Sequence, residues 1–228
     1  EDQLNNFNLS VALTEAFMQS VDRDEEYALI APHTGQEKGR LRAREVFHLL
    51  VQKAWESGDP GIIFLDRINR DNPTPKQGEI ESTNPCGEQP LLPFEACNLG
   101  SINVDAFYAA QEEDGLDWEG LQEAIHLSVR FLDNVIDASR YPLPQITEKV
   151  QANRKIGLGI MGWADLLYQL RIPYNSQRAL TLGEKLMNFL HQESRSASKV
   201  LARERGPFPA YPDSVHARKN LGPFRNAT

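Results

Sequence analysis

Asn84-Pro85-Cys86-Gly87-Glu88-Gln89-Pro90, followed by Cys97-Asn98-Leu99-Gly100-Ser101, is the stretch on which the reading of this chain turns. It lies within and just beyond Arg67 to Pro93, a run of Asn, Pro, Gly and Glu without helix or strand periodicity. Loops of that length are uncommon in compact domains and are usually functional. Pro85 and Gly87 bracket the Cys86 thiol and impose an irregular backbone on it. Asn, Pro, Gly and Glu do not build an apolar core, so Cys86 does not read as a small buried hydrophobe. In an extended loop, alternation would aim Asn84, Cys86 and Glu88 the same way. A carboxylate beside a thiol disfavours the thiolate, which speaks against a cysteine nucleophile. A neutral thiol doing hydrogen-atom chemistry fits better, with Glu88 as a base toward substrate. Cys97 follows in a C-x10-C spacing, wider than metal-binding cysteine pairs. The residues alone lead as far as a thiol-centred enzyme site on a long loop.

Upstream, Phe7 to Leu13 alternates as a strand does. Thr14 then caps a helix to about Val21. Arg23 to Arg42 reads as a polar loop or short hairpin around Gly35 and Gly39. Val46, Phe47, Leu50 and Ala54 define one face of a helix from Ala43 to Ser57, which Gly58 ends. Gly61 to Leu65 is a continuous apolar run, the pattern of a buried strand. Downstream, Asn98 to Val104 reads as a strand. Asp117 caps a long helix to about Ser139, with Leu121, Ile125, Leu132 and Ile136 inward. Tyr141 to Pro144 stops it, a glycine-rich turn at 157–162 leads into a short helix, and Ser176 begins a helix ended by Gly206-Pro207. The expected class is mixed α/β, with helices packed outside a sheet or barrel and no linker dividing the chain.

The chain has 228 residues and a net charge of −8, which opposes a nucleic-acid polymer as partner. No apolar run reaches the length of a membrane span, so no membrane partner is expected. Two cysteines do not make a secreted disulfide scaffold, and a cytoplasmic setting is the default. Gly157-Leu158-Gly159-Ile160-Met161-Gly162 matches G-x-G-x-x-G literally, but polar residues stand where a dinucleotide fold needs a buried strand. Close backbone packing is the better reading of it. His33, His48, His126, His191 and His216 are scattered, without ligand spacing, and no metal site is assigned.

The stretch from Asn84 through Asn103 closely resembles the catalytic subunit of ribonucleotide reductase, most of all its adenosylcobalamin-dependent (class II) members. Leu4 to Val11, Gly58 to Phe64, Asn153 to Gly159 and Arg225 to Thr228 extend the resemblance along the chain. The implied fold is a ten-stranded α/β barrel with an active-site finger loop inside and helices outside, of which residues 1–228 would be a single segment cut from a longer chain. The implied catalytic residues are Asn84, Cys86, Glu88 and Cys97, and the implied substrate-binding residues are Asn84, Pro85, Cys86, Gly87 and Glu88. Cys86 would become a thiyl radical and take the ribose 3′ hydrogen. Glu88 would accept the 3′-hydroxyl proton, Asn84 would hold the ribose hydroxyls, and Cys97 would be one of a reducing pair that closes to a disulfide. The resemblance implies adenosylcobalamin and its cobalt as radical source, the alternative being a separate metal-containing subunit. It also implies a ribonucleotide substrate, a thioredoxin-like or dithiol reductant, and a homodimer among the assemblies it allows. The family's second reducing cysteine has no match here, so these residues alone are expected to be inactive. The rival reading is a non-catalytic fragment, or one part of a split reductase that needs a partner chain.

Overall fold

The computed structural model describes residues 7–227. Leu4 to Asn6 and Thr228, which belong to the resembling stretches, lie outside them. The chain forms two compact units, Glu1–Asn72 with Glu79–Pro90, and Pro73–Gly78 with Leu91–Thr228.

In the first unit, β1 (Ser10–Leu13) leads into α1 (Glu15–Arg23), whose cap Thr14 accepts from the Phe17 N–H. The segment read as a loop or hairpin is a hairpin, β2 (Glu26–Ile30) against β3 (Glu37–Arg42). Helix α2 (Ala43–Ser57) follows and ends at Gly58, with φ of 85°. Its expected face is correct: Val46, Phe47, Leu50 and Ala54 are half-buried while their neighbours are exposed. β4 (Gly61–Phe64) then runs parallel to β1, Ser10 opposite Gly61. A parallel pair needs a crossover, and the segment from α1 to α2 supplies it.

Two expectations fail here. β4 was expected to be buried, but Ile62 and Phe64 are 38% and 41% exposed. Among the described residues β1 is its only paired neighbour, so apolar composition has no second flank to pack against. Leu65–Arg70, expected as strand end and loop, is helix α3. Asn69 secures the chain after it, accepting from the Ile80 N–H at 2.8 Å and donating to the Ile80 carbonyl at 2.9 Å. Short strands β5 (Ser82–Thr83) and β6 (Pro90–Leu91) flank the Cys86 segment.

In the second unit, β7 (Asn98–Asn103) is followed by α4 (Trp118–Ala138), α5 (Pro144–Asn153) and β8 (Ile156–Met161). β8 runs parallel to β7, with Asn98 opposite Ile156 and Asn103 opposite Met161. The glycine-rich stretch expected as a turn is therefore mainly a strand. Glycine lowers intrinsic strand preference, but here pairing with a distant strand overrides it. Only Gly162 behaves as a turn residue. Its φ is 74°, and a β-carbon there would overlap Asn103 Oδ1, so glycine is needed where the chain enters α6 (Trp163–Gln169). Helix α5 was not expected; Pro144 in its first turn was read as a stop, yet proline is well suited to that position. Asp117 caps α4 by accepting from the Gly120 N–H at 2.9 Å, as expected. Ser176 caps α7 (Gln177–Arg205) in the same way, accepting from the Ala179 N–H. α4 and α7 bury Leu121, Ile125, Val129, Leu132, Leu186 and Leu201 in one core with β7 and β8. A short helix, α8 (Val215–Arg218), lies near the chain end.

The class is mixed α/β, as expected. The described residues show two parallel pairs and two other two-stranded sheets rather than a closed barrel. Closure requires each strand to be paired on both sides around a ring.

Candidate active site

The Cys86 segment is a closed turn. The Gly87 N–H donates to the Asn84 carbonyl at 3.0 Å, placing Asn84, Pro85, Cys86 and Gly87 at the four turn positions. The sequence suits a type I turn, with Asn first, Pro second and Gly fourth. Cys86 is not among the residues with positive φ, which excludes type II, whereas Gly87 has φ of 85°. A second closure surrounds the first. The Asn84 N–H donates to the Gln89 carbonyl at 3.2 Å, and Asn84 Oδ1 accepts from the Gln89 N–H at 2.9 Å.

This corrects the expected extended loop. In a turn, side chains do not alternate between two faces, so spacing by two does not align Asn84, Cys86 and Glu88. The turn does keep these residues in one tight span and sets the thiol at its tip. Pro85, Cys86, Gly87 and Glu88 are exposed and Asn84 is half-buried. Because Asn84 Oδ1 closes the loop, its Nδ2 is the amide group left to donate to a ligand.

Cys97 belongs to the other unit, immediately before β7, and is half-buried. Neither cysteine is in a disulfide.

Sequence reasoning missed the buried charges that frame this second region. Glu95, two residues before Cys97, has a fully buried side chain. Its carboxylate accepts from Lys155 Nζ at 2.7 Å, Asn153 Nδ2 at 2.6 Å and the Leu92 N–H at 2.9 Å. Between its two partners in sequence, Arg154 turns the other way, into a second cluster. Arg154 donates to Asp133 Oδ1 at 2.8 Å and to Asp137 at 2.7 Å. Arg205 and Arg225 reach Asp133 Oδ2, each at 3.2 Å, and Asn226 Nδ2 donates to Asp133 Oδ1 at 3.1 Å. The Arg154 hydrogen bonds hold Asp137 below the usual carboxylate range, against a smaller opposing effect of burial. Burial works against the Arg154 charge, but the two carboxylates outweigh it and raise its pKa. The one available signal was the polar run Asn153-Arg154-Lys155 directly before an apolar strand.

His48, His126 and His191 were expected on helix surfaces or flanks. His48 and His191 are exposed on helices, but the fold pairs His126 with Glu193 across α4 and α7 at 2.9 Å. His216 contacts the Ala227 carbonyl at 2.9 Å through Nε2, and its Nδ1 is buried without a partner.

Two parallel strand pairs with helical crossovers, and a thiol on a Pro-Cys-Gly turn, define an α/β protein with a thiol site. Comparison with known proteins gives the family. The model of the ribonucleotide reductase barrel domain matches residues 1–226, and the chain belongs to that family. It is 51% identical over 226 residues to the vitamin B12-dependent ribonucleoside-diphosphate reductase of Mycobacterium tuberculosis (strain CDC 1551 / Oshkosh), covering 99% of this chain and 32% of that protein. It is 48% identical over 225 residues to the protein of the same name from Thermoplasma acidophilum, covering 99% of this chain and 29% of that one. With the ribonucleoside-diphosphate reductase subunit alpha of Chlamydia pneumoniae it shares 35% over 186 residues, 80% of this chain and 18% of that subunit. The chain thus spans about a third of the length of these two B12-dependent relatives.

Proposed function

We propose that this chain is a segment of the catalytic barrel of a ribonucleotide reductase, and that Cys86 is the thiol whose radical starts the reduction of ribonucleotides to deoxyribonucleotides. The observation that carries the reading is the closed Asn84–Gly87 turn, which sets Cys86 at an exposed tip in a chain of this family. The finger loop of a ten-stranded barrel is the setting proposed for that turn, with residues 1–228 as one segment of the barrel.

In this reading the Cys86 sulfur, once a thiyl radical, takes the 3′ hydrogen of the ribose. Glu88 accepts the 3′-hydroxyl proton, and Asn84 Nδ2 donates to the ribose hydroxyl region. The 2′-hydroxyl then leaves as water. A pair of thiols, one of them Cys97, supplies two electrons and two protons, for the departing water and the new hydrogen on the 2′ carbon, and closes to a disulfide. Cys86 returns its hydrogen to the 3′ carbon and is regenerated. Fixing two hydroxyls against an amide and a carboxylate is catalysis by proximity.

An exposed thiol at a turn tip fits a radical source that approaches from outside the turn, and residues 84–88 would meet it. Adenosylcobalamin, when bound, supplies the one-electron chemistry that removes the thiol hydrogen atom. The similarity to the B12-dependent relatives supports it over a separate metal-containing subunit. A thioredoxin-like or dithiol reductant would reopen the Cys97 disulfide, a homodimer is the assembly proposed, and the cytoplasm is the compartment that keeps both thiols reduced. No helix of the described residues is long and apolar enough to cross a membrane.

The test is Cys86→Ser in the full-length protein, assayed for deoxynucleotide formation with adenosylcobalamin and a dithiol. Turnover is expected to vanish while the protein stays folded. Retained turnover would remove the radical assignment, and turnover independent of cobalamin would move the radical source to another subunit.

A further inference from the structure

Cys97 lies between two fixed points that share one support. On its N-terminal side, residues 92–95 form a turn closed from the Glu95 N–H to the Leu92 carbonyl at 3.0 Å. Phe94 in that turn has φ of 60°, a conformation unfavourable for a residue with a β-carbon, so surrounding contacts must hold it. The Glu95 carboxylate supplies them, joining Leu92, Asn153 and Lys155. On the C-terminal side, Asn98 enters β7 opposite Ile156 and donates from Nδ2 to the Leu132 carbonyl at 3.0 Å. Residues 153–156 therefore run beside residues 95–98, gripping one end through side chains and the other through strand pairing.

A buried ion pair is a poor way to gain stability, because desolvation offsets most of the attraction, and apolar residues of the same volume often do as well. What such a pair does supply is a defined geometry. The pair here closes on Glu95, two residues before the thiol, and through it on the Leu92 N–H.

We infer that Glu95, gripped by Lys155 and Asn153, is a positioning residue that sets where the Cys97 thiol is presented. The inference rests on Cys97 being a reducing thiol, as proposed above, and it acts through the backbone of residues 95–97. A thiol that must reach both a substrate and a second thiol tolerates little displacement, since an error near 1 Å can cost about a hundredfold in rate.

The experiment uses the full-length protein with Glu95→Gln, Asn153→Ala and Lys155→Arg. Iodoacetamide alkylation of the Cys97 peptide is followed by mass spectrometry, beside steady-state kinetics, at a temperature where each variant is folded. Glu95→Gln is expected to change the Cys97 alkylation rate roughly tenfold and lower kcat by a similar factor. KM for the nucleotide and alkylation of Cys86 are expected to hold within about twofold. Lys155→Arg, which keeps the charge and a donor in a larger side chain, is expected to disturb Cys97 alkylation less than Glu95→Gln does. If Glu95→Gln does not fold, Asn153→Ala leaves the ion pair intact and is expected to shift Cys97 alkylation about threefold. A lowered melting point with unchanged Cys97 alkylation and kcat in the folded variants would show a structural role only and overturn the inference. Cys97→Ala separates the two readings: wild-type turnover in that variant overturns the reductant role, while the alkylation shift in Glu95→Gln judges the positioning by itself.

Discussion

The Asn84–Gln89 loop and the Asp133 cluster are both polar, but they sit at opposite ends of the burial scale. The loop keeps its shape with backbone bonds and one asparagine side chain, and leaves Cys86 and Glu88 exposed. Asp133 is wholly buried and meets Arg154, Arg205, Arg225 and Asn226. Exposed polar groups are solvated and available for chemistry at little cost to folding. Buried charges need every partner in place, so they fix structure and tolerate no loss. The thiol site thus depends on what approaches it, and the cluster depends on its own completeness.

The sharpest way to break this contrast is Asp133→Ala, which leaves three guanidinium groups without their shared carboxylate. Unfolding stability should fall by about 3–5 kcal/mol, as for other broken buried ion pairs. A denaturant midpoint near wild type would mean the arginines find solvent instead.

Gly162→Ala comes next. The left-handed backbone and the overlap with Asn103 should together cost roughly 1–3 kcal/mol, read by thermal or denaturant unfolding. No loss would show that the β8-to-α6 junction can relax.

A pH titration is gentler. Burial lowers the His216 pKa, the Ala227 hydrogen bond opposes that, and Arg195 and Lys219 add to the lowering. The unfolded chain therefore takes up the proton first. Stability should be full above the unfolded value of about 6.5 and decline as pH falls from there to the depressed folded value, then level off. Asp137, whose pKa is lowered, contributes in a separate window: its stabilisation is present above about 3.9 and is lost as pH falls through its folded value. His216→Gln should remove the upper decline and leave the lower one. If the upper decline persists in His216→Gln, another group is responsible.

The smallest structural effect is expected at the residue with the largest proposed functional one. Cys86→Ser should change stability by no more than about 0.5 kcal/mol, because the side chain is exposed. A larger loss would place the thiol in packing that the turn alone does not supply.

Local signals in the sequence were the reliable ones. Thr14, Asp117 and Ser176 each cap a helix by bonding a backbone N–H three residues on, and the inward residues of α4 follow from its period. Pro-Cys-Gly marked the turn, though alternation misjudged its shape. Strands β1, β4 and β7 were also legible from their own residues, but β8 was not. β8 is a strand because Asn98–Asn103 lies beside it, and nothing within Gly157–Gly162 records that neighbour. α5 was hidden because a proline at a helix start looks like one at a helix end.

The sequence by itself determined the family, an irregular backbone around Cys86 and the capped starts of α1, α4 and α7, because capping and periodicity act over a few residues. Only the tertiary structure decided that Asn153 and Lys155 grip Glu95 while Arg154 turns to Asp133. Those partners lie 58, 60 and 21 residues apart in the chain. Their attraction becomes strong only after folding removes water from between them.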